Sequence, residues 1–329
     1  MENVEQLFQD FTSVKVGVIG DVMLDTYLWG GVERISPEAP VPIVSVASKE
    51  QRIGGAGNVA LNLQSLGAQA FVITVTGDDD DATCLNQLFA DHEINTSYSL
   101  RSSQRITTNK TRIISRNQQM MRLDAEMTND LLETEQEELL RNFRAFVETE
   151  QPQIVILEDY NKGVLTEATI REVTAICKEH NVLTAVDPKR KNFFAYQGVD
   201  IFKPNLKEVK EALNLLGVEA ELPALQEIHE ALRMQLHHHI SFVTLSEKGV
   251  FYQHGESAKI IPSHIRNIAD VSGAGDTVIA VAALVYAVRK NVHLMAEVAN
   301  IAGGLVCEQV GTAAISKLAL MHECELLLS

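Results

Sequence analysis

Asp276 stands where two kinds of chemistry meet. It ends the stretch Asp270-Val271-Ser272-Gly273-Ala274-Gly275-Asp276 and heads the almost wholly apolar run TVIAVAALVYAV. Gly273, Ala274 and Gly275 carry little or no side chain, so their N–H groups can approach a ligand closely. A helix starting here aims its unpaired N–H groups and the positive end of its dipole at the same point. Such a mouth suits an anion, and a carboxylate beside it repels one. Either Asp276 only caps the helix, or it faces a second reactant. Phosphorylation of an alcohol would use every part: the carboxylate takes the hydroxyl proton, the amides hold charge on the moving phosphoryl group, and a divalent cation assists.

Other polar residues fall where an open parallel sheet places its ligands, beyond the C-terminal ends of the strands. Asp21 and Asp25 follow VGVIG, while Glu158, Asp159 and Lys162 follow IVIL. Asp187 and Lys189 follow LTAV, Asn205 and Glu208 follow IFKP, and Thr244, Ser246 and Glu247 lie in FVTLSEKG. One such residue means little, because loops are polar, but five groups at one edge form a rim. GGAGN (54–58) can address hydroxyls with glycine amides and the Asn58 side chain, or can simply start a helix with Asn58 as a local cap. It lacks GxGxxG spacing and follows no obvious buried strand, and GxxxxGK[ST] is absent, so neither a dinucleotide fingerprint nor a Walker loop is present.

The elements that must position this rim alternate. Strands are expected at 14–20, 70–77, 154–159, 182–187, 200–205 and 242–249, and short strands near 250–262. Helices are expected after the 54–57 glycine turn, at 131–149, 166–180, 206–216 and 222–236, and at the close as two apolar helices, 274–290 and 292–309. Asp78, Asp79, Asp80 and Asp81 read as an acidic helix start. Pro37, Pro40 and Pro42 keep 34–42 extended. Two polar segments, 22–47 and 94–123, read as antiparallel strands inserted near one edge as a β-sheet lid. The alternation predicts one α/β domain over 1–329, a mainly parallel sheet with helices on both faces.

Composition narrows the partners. With 46% hydrophobic and 22% charged residues among 329, the chain is ordinary globular. A net charge of −16 argues against non-specific binding to nucleic acid or anionic membranes. No apolar run is long enough for a membrane span, and the acidic N-terminus lacks a signal pattern. Cys84, Cys177, Cys307 and Cys324 are scattered without CxxC spacing, which reads as reduced thiols in a cytoplasmic protein. The adjacent His237, His238 and His239 would point in different directions, a poor metal site.

DVSGAGDT, GGAGNVA and KPNLKE together resemble the signatures of the ribokinase-like carbohydrate kinase family, over essentially the whole chain. The blocks GDVMLDTYLWGGVERISPEAPVPIV, RLDAE, EDYNKGVL and DPKRKNFFAY are similar to its heptose-7-phosphate kinase branch. The resemblance implies Asp276 as general base and Gly273, Ala274 and Gly275 as anion hole. It implies magnesium organised by Asn205 and Glu208 through water, and an ATP site lined by Thr244, Ser246, Glu247 and Gly249 with Asn300 and Gly303 near the adenine. Asp25, Gly55, Asn58 and Asp124 would hold sugar hydroxyls, with Asp159 beside them, and Asp270 and Ser272 a monovalent cation such as K+. Ser272 replaces the signature's threonine, and Glu158-Asp159-Tyr160 replaces Ser-Asp-Tyr. The substrate's own phosphate needs cations, for which Lys110, Arg112, Arg122, Lys162 and Lys189 are candidates, each equally readable as a solvated surface charge.

The expected reaction is transfer from ATP to the anomeric hydroxyl of a heptose 7-phosphate in ADP-heptose synthesis. Without a His-x-Gly-His motif, a separate adenylyltransferase is expected to act next. A kinase for another sugar, and a non-catalytic sugar-binding regulator, are the rivals. The polar lid strands would leave an open edge, which predicts a homodimer formed by pairing lids.

Overall fold

The computed structural model describes residues 3–328 apart from 117, 216, 218 and 265. Its strands are β1 Lys15–Gly20, β2 Val22–Ile35, β3 Pro42–Gly55, β4 Gln69–Ile73, β5 Val75–Gly77, β6 Leu100–Ser102 and β7 Asn109–Ser115. There follow β8 Gln118–Ala125, β9 Ile154–Glu158, β10 Leu183–Asp187, β11 Ile201–Phe202, β12 Ile240–Thr244, β13 Val250–His254 and β14 Ser257–Ile261. The helices are α1 Val4–Asp10, α2 Ala56–Leu66, α3 Asp80–Asp91, α4 Glu133–Glu150, α5 Glu167–Glu179, α6 Leu206–Leu213, α7 Leu222–Leu236, α8 Ala274–Arg289, α9 Val292–Val306 and α10 Lys317–Leu327.

The main sheet has eight strands in the order β14-β13-β12-β11-β10-β9-β1-β4. It is parallel from β4 to β12, and antiparallel where β13 and β14 add the edge. Its strands are continuous apolar runs because both faces are covered. One core packs α1, α2, α8, α9 and α10 on one face, and the other packs α4, α5 and α7 on the opposite face. Capping follows residue type. Asp79 accepts from the Ala82 N–H at 2.8 Å and Asp80 and Asp81 fill the first turn of α3, the acidic start expected there.

A second sheet of four strands, β3-β2-β7-β8, is the lid. It differs from expectation in three ways. β2 and β7 pair in parallel, so the lid is mixed and not antiparallel. It runs on to Gly55 and Ala125, beyond 47 and 123. Residues 94–108 are outside it, because β6 pairs with β5 in a separate two-stranded sheet and so splits the expected 70–77 strand. GGAGN does follow a strand, β3, whose last residues, Ile53 to Gly55, are buried. The 34–42 stretch is non-helical, but it is a hairpin tip between β2 and β3. β11 is only two residues long, and 246–248 is a 3-10 turn and not strand. The expected end of α6 at 216 lies outside the described residues. α1 and α10, which periodicity did not mark, close the first core with Leu7, Phe8, Leu320 and Cys324. Among the described residues no helix is long and apolar enough to cross a membrane.

Candidate active site

Asp276 sits in the first turn of α8, 3% exposed, behind Gly273 in a left-handed conformation that suits glycine. A side chain on Gly273 would also press on the Asn58 amide at 2.8 Å. The Asp276 carboxylate does not cap its own helix. Its Oδ2 accepts from Asn58 Nδ2 at 2.8 Å, and its Oδ1 accepts from the Tyr160 hydroxyl at 2.7 Å. Burial pushes its pKa up to about 6, against the pull of those two donors, with the Asp187 charge adding to the rise. Such a group is ionised near neutrality and still basic enough to take a proton.

The amides beside it divide. Ala274 N turns back to Val271 O at 3.3 Å, whereas those of Gly275 and Asp276 find no acceptor among the described residues. A Cβ on Gly275 would lie 3.6 Å from Asp187 Oδ2 and 3.8 Å from Lys203 Nζ. The missing side chain therefore leaves room between a helix N-terminus and a buried ion pair, a cradle that fits an anion.

That pair begins a chain of charges. Lys203 Nζ lies 2.8 Å from Asp187, Lys189 Nζ lies 3.4 Å from Asp187, and Lys189 reaches Glu208 at 2.9 Å. Burial would raise the Asp187 carboxyl, but Lys189 and Lys203 hold it below its usual range. Register explains the crowding: Glu158, Asp187 and Gly20 end neighbouring strands side by side. Glu158 is wholly buried, and neither carboxyl oxygen has a partner among the described residues. Burial, then the charges of Asp187 and Asp276, push its pKa well above the usual carboxylate range.

Asn205 and Glu208 form a capping box at the start of α6, with Glu208 N donating to Asn205 Oδ1 at 2.9 Å and Asn205 N to Glu208 Oε2 at 2.8 Å. Both Glu208 oxygens are thus engaged, one by Lys189, which fits a cation held through water better than direct ligation. At the place where a nucleotide is expected, Thr244 bridges to Asn205, while Ser246 and Glu247 form the turn before Gly249. Gly249 has φ +93°, and Asn300 donates to Pro262 O at 2.9 Å. A Cβ on Gly303 would meet Val278 at 2.7 Å, so helix packing accounts for that glycine.

The lid side is more varied. Asp25 Oδ1 accepts from Arg112 at 2.5 Å, and its other oxygen faces Thr312 Oγ1 at 3.5 Å. Arg112 and Arg52 both lie over the Tyr27 ring, 5.2 and 4.9 Å from its centroid. Lys162 pairs with Glu126 at 2.7 Å, and Arg122 with Asp124 at 2.8 Å on the open strand β8. The Lys110 ammonium makes no ion pair or hydrogen bond among the described residues and lies over the Tyr160 ring, 5.4 Å from its centroid. Burial lowers its pKa, Asp25 opposes that fall, and the charges of Lys162 and Arg122 add to it. Gly55 heads α2 with φ +60°, where a Cβ would run into Asp21 O. Asp159 turns away from the rim, accepting from Tyr196 at 2.7 Å and from Asn161 N at 2.7 Å. Asp270 accepts from Ser272 N and Oγ and from Gly311 N, at 3.0, 2.9 and 2.9 Å, closing its corner.

Sequence reasoning passed over Tyr160 and Lys203. Tyr160 stood in the quoted block EDYNKGVL, and Lys203 opened the quoted signature KPNLKE, but neither was given a role. Neither position announces a role until β9, β10 and β11 lie side by side.

A family model described as pfkB family carbohydrate kinase matches residues 14–318. The chain belongs to that family and has its ribokinase-like α/β fold; it is a carbohydrate kinase. Two proteins named bifunctional protein HldE, from Geobacter metallireducens and Desulfatibacillum aliphaticivorans, are 37% and 38% identical over 317 and 323 residues. Each match takes in 96% of this chain and 64% of the relative, so the chain spans just under two thirds of their length. Phosphofructokinase-2 from Escherichia coli in complex with potassium superposes with a TM-score of 0.79 at 17% identity, covering 96% of this chain and 100% of that one. Arabidopsis thaliana ribokinase complexed with ribose and ATP gives 0.71 at 16% identity, covering 94% and 98%. At those identities the likeness is one of fold.

Proposed function

We propose that the chain transfers the γ-phosphoryl group of ATP to the anomeric hydroxyl of D-glycero-β-D-manno-heptose 7-phosphate, giving the 1,7-bisphosphate. The observation that carries the chemistry is Asp276, held by Asn58 and Tyr160 at 2.8 and 2.7 Å next to unpartnered helix amides. Asp276 accepts the hydroxyl proton, the Gly275 and Asp276 N–H groups take charge on the transferring group, and Lys203 adds a fixed positive neighbour. Magnesium would be held through water by Glu208 and Asp187, and it supplies neutralisation of phosphate charge. ATP would lie between the 244–249 turn and Asn300 with Gly303. The Asp270–Ser272 corner is the proposed place for a monovalent cation.

Substrate choice rests on the relatives named HldE and on the lid. Asp25, Asn58, Gly55 and Asp124 are assigned to the sugar, and Lys110, Lys162 and Arg122 to its phosphate; Lys162 and Arg122, like Arg112 and Lys189, also hold a carboxylate nearby. Three cations drawn together against their own repulsion fit a phosphate ester. Asp159 is assigned instead to bracing its loop. The setting is cytoplasmic synthesis of ADP-heptose for lipopolysaccharide core, in which adenylyl transfer follows the kinase step. β8 is an open edge of the lid with Met120, Met121 and Leu123 exposed, which supports pairing with a second copy. Light scattering at micromolar concentration would return a dimer, and a monomer would remove that part.

A coupled ADP assay tests the substrate. Heptose 7-phosphate should turn over with a far higher kcat/KM than fructose 6-phosphate or ribose. Preference for a phosphate-free sugar would replace the heptose assignment with another sugar kinase activity.

A further inference from the structure

The proposed base is held by a side chain to which the sequence motifs gave no role in the transfer. We propose that Tyr160 is the positioning residue of Asp276: its hydroxyl, fixed by a braced loop and a ring with two ammonium groups over it, aims the carboxylate at the acceptor. This rests on the reading of Asp276 as base and adds the device that sets its direction and basicity.

Three observations carry it. Tyr160 Oη donates to Asp276 Oδ1 at 2.7 Å while Asn58 holds the other oxygen, so the plane of the carboxylate is fixed from both ends. The loop that presents Tyr160 is itself gripped by buried carboxylates. Asp21 accepts the N–H groups of Tyr160, Lys162 and Val164 at 2.9, 3.0 and 3.1 Å, and Asp159 accepts that of Asn161 at 2.7 Å. The ring has Lys110 of β7 and Lys189 after β10 over it, each 5.4 Å from its centroid. A cation over the ring draws electron density from the phenol and strengthens its O–H as a donor. Through Lys110 the lid therefore touches the residue that holds the base.

The groups acting on the Asp276 carboxylate are Asn58 of α2, Glu158 at the end of β9 and Tyr160 after it, Asp187 at the end of β10 and Lys203 after β11, while Lys189 and the lid's Lys110 lie over the Tyr160 ring. A donor to the ionised form lowers a carboxyl pKa. Removing the phenol hydroxyl should raise the Asp276 midpoint from its place near 6.

The test titrates the Asp276 carboxyl by 13C NMR in the free full-length protein and in Tyr160→Phe, which keeps the ring. The midpoint should rise by about one pH unit. Turnover should fall about tenfold with KM for the sugar changed less than about twofold, because aim is lost and binding is not. An unmoved midpoint with normal turnover would overturn the proposal, and so would a loss confined to KM. If Tyr160→Phe fails to fold, fluorotyrosine placed at 160 alone keeps the hydroxyl and strengthens it as a donor. The midpoint should then fall, and no movement would equally overturn the proposal. The titration needs no sugar. A wild type inactive on heptose 7-phosphate would thus defeat the substrate assignment and leave the midpoint result standing.

Discussion

The floor of the site and its lid are built on opposite terms. Asp276, Asn58, Glu158, Asp187 and Lys203 are all buried on the floor, and all but Glu158 are held by a named partner. The lid's β8 is exposed along its whole length, and its Arg122–Asp124 pair stands in solvent. Folding alone therefore places the floor's charges. The lid's cations lie where a ligand can still rearrange them. Removing a floor residue should change stability and chemistry together, whereas removing a lid residue should change binding and leave the fold alone.

The largest effect should come from Asp276→Asn. Loss of a general base costs about a hundredfold or more in kcat, and sugar binding should persist. Stability should move the other way. The folded pKa of about 6 lies above the ordinary 3.8, so this group favours folding below about 3.8 and loses that contribution as pH rises through 6. A shift of about 2 units corresponds to about 3 kcal/mol. At pH 8 the asparagine variant should melt higher than wild type, with the gap closing at pH 4. In wild type, kcat/KM should climb with pH through about 6 as the base ionises. A variant that is less stable at pH 8 would show that the carboxylate is not a charge the fold carries at a cost.

Lys203→Met should be next. It leaves Asp187 buried with Lys189 alone at 3.4 Å, and breaking a buried pair costs about 3–5 kcal/mol. The denaturant midpoint should fall accordingly, with the slope unchanged. A loss below about 1 kcal/mol would place the pair with surface bridges, and the floor would differ less from the lid than argued.

Much of the floor could be read in the chain because its signals are local. Small residues before a carboxylate mark the α8 mouth, and strand ends mark the rim. The same locality leaves two roles open elsewhere: Asn205-x-x-Glu208 matches a family motif and, in the fold, also forms a helix cap. Tyr160 and Lys203 gain their roles from strands brought together in three dimensions, which spacing does not encode. The lid was legible as a small sheet of polar strands, but its pairing was not. The parallel β2–β7 pairing joins distant segments, and the short β5–β6 pair takes residues that look like lid. α1 and α10 show only a few buried positions each, too few for periodicity to stand out.

Lys110→Gln should act on binding. Lys110 has no ion pair to lose among the described residues, so the melting temperature should stay within about 1 °C. If it meets the substrate phosphate, KM for a sugar phosphate should rise about tenfold, the size of one charge-assisted contact. A phosphate-free analogue should show no such change. Equal losses on both sugars would make Lys110 a support for Tyr160 alone.

Arg122→Ala gives the smallest expected effect and the sharpest contrast. Its partner Asp124 lies two residues away on the same exposed strand, at 2.8 Å. Both are solvated, so the pair adds between 0 and about 1 kcal/mol to stability, and the melting temperature should barely move. Any effect should appear in KM and shrink as salt is added, since exposed charges are screened over about 8 Å at physiological ionic strength. The floor pair of Lys203 and Asp187, shielded from solvent, should respond far less to salt. Melting curves of Arg122→Ala and Lys203→Met at low and high salt put the two regions on one scale. A large salt-independent loss for Arg122→Ala would mean that its strand is covered in solution, as it would be where two lids pair.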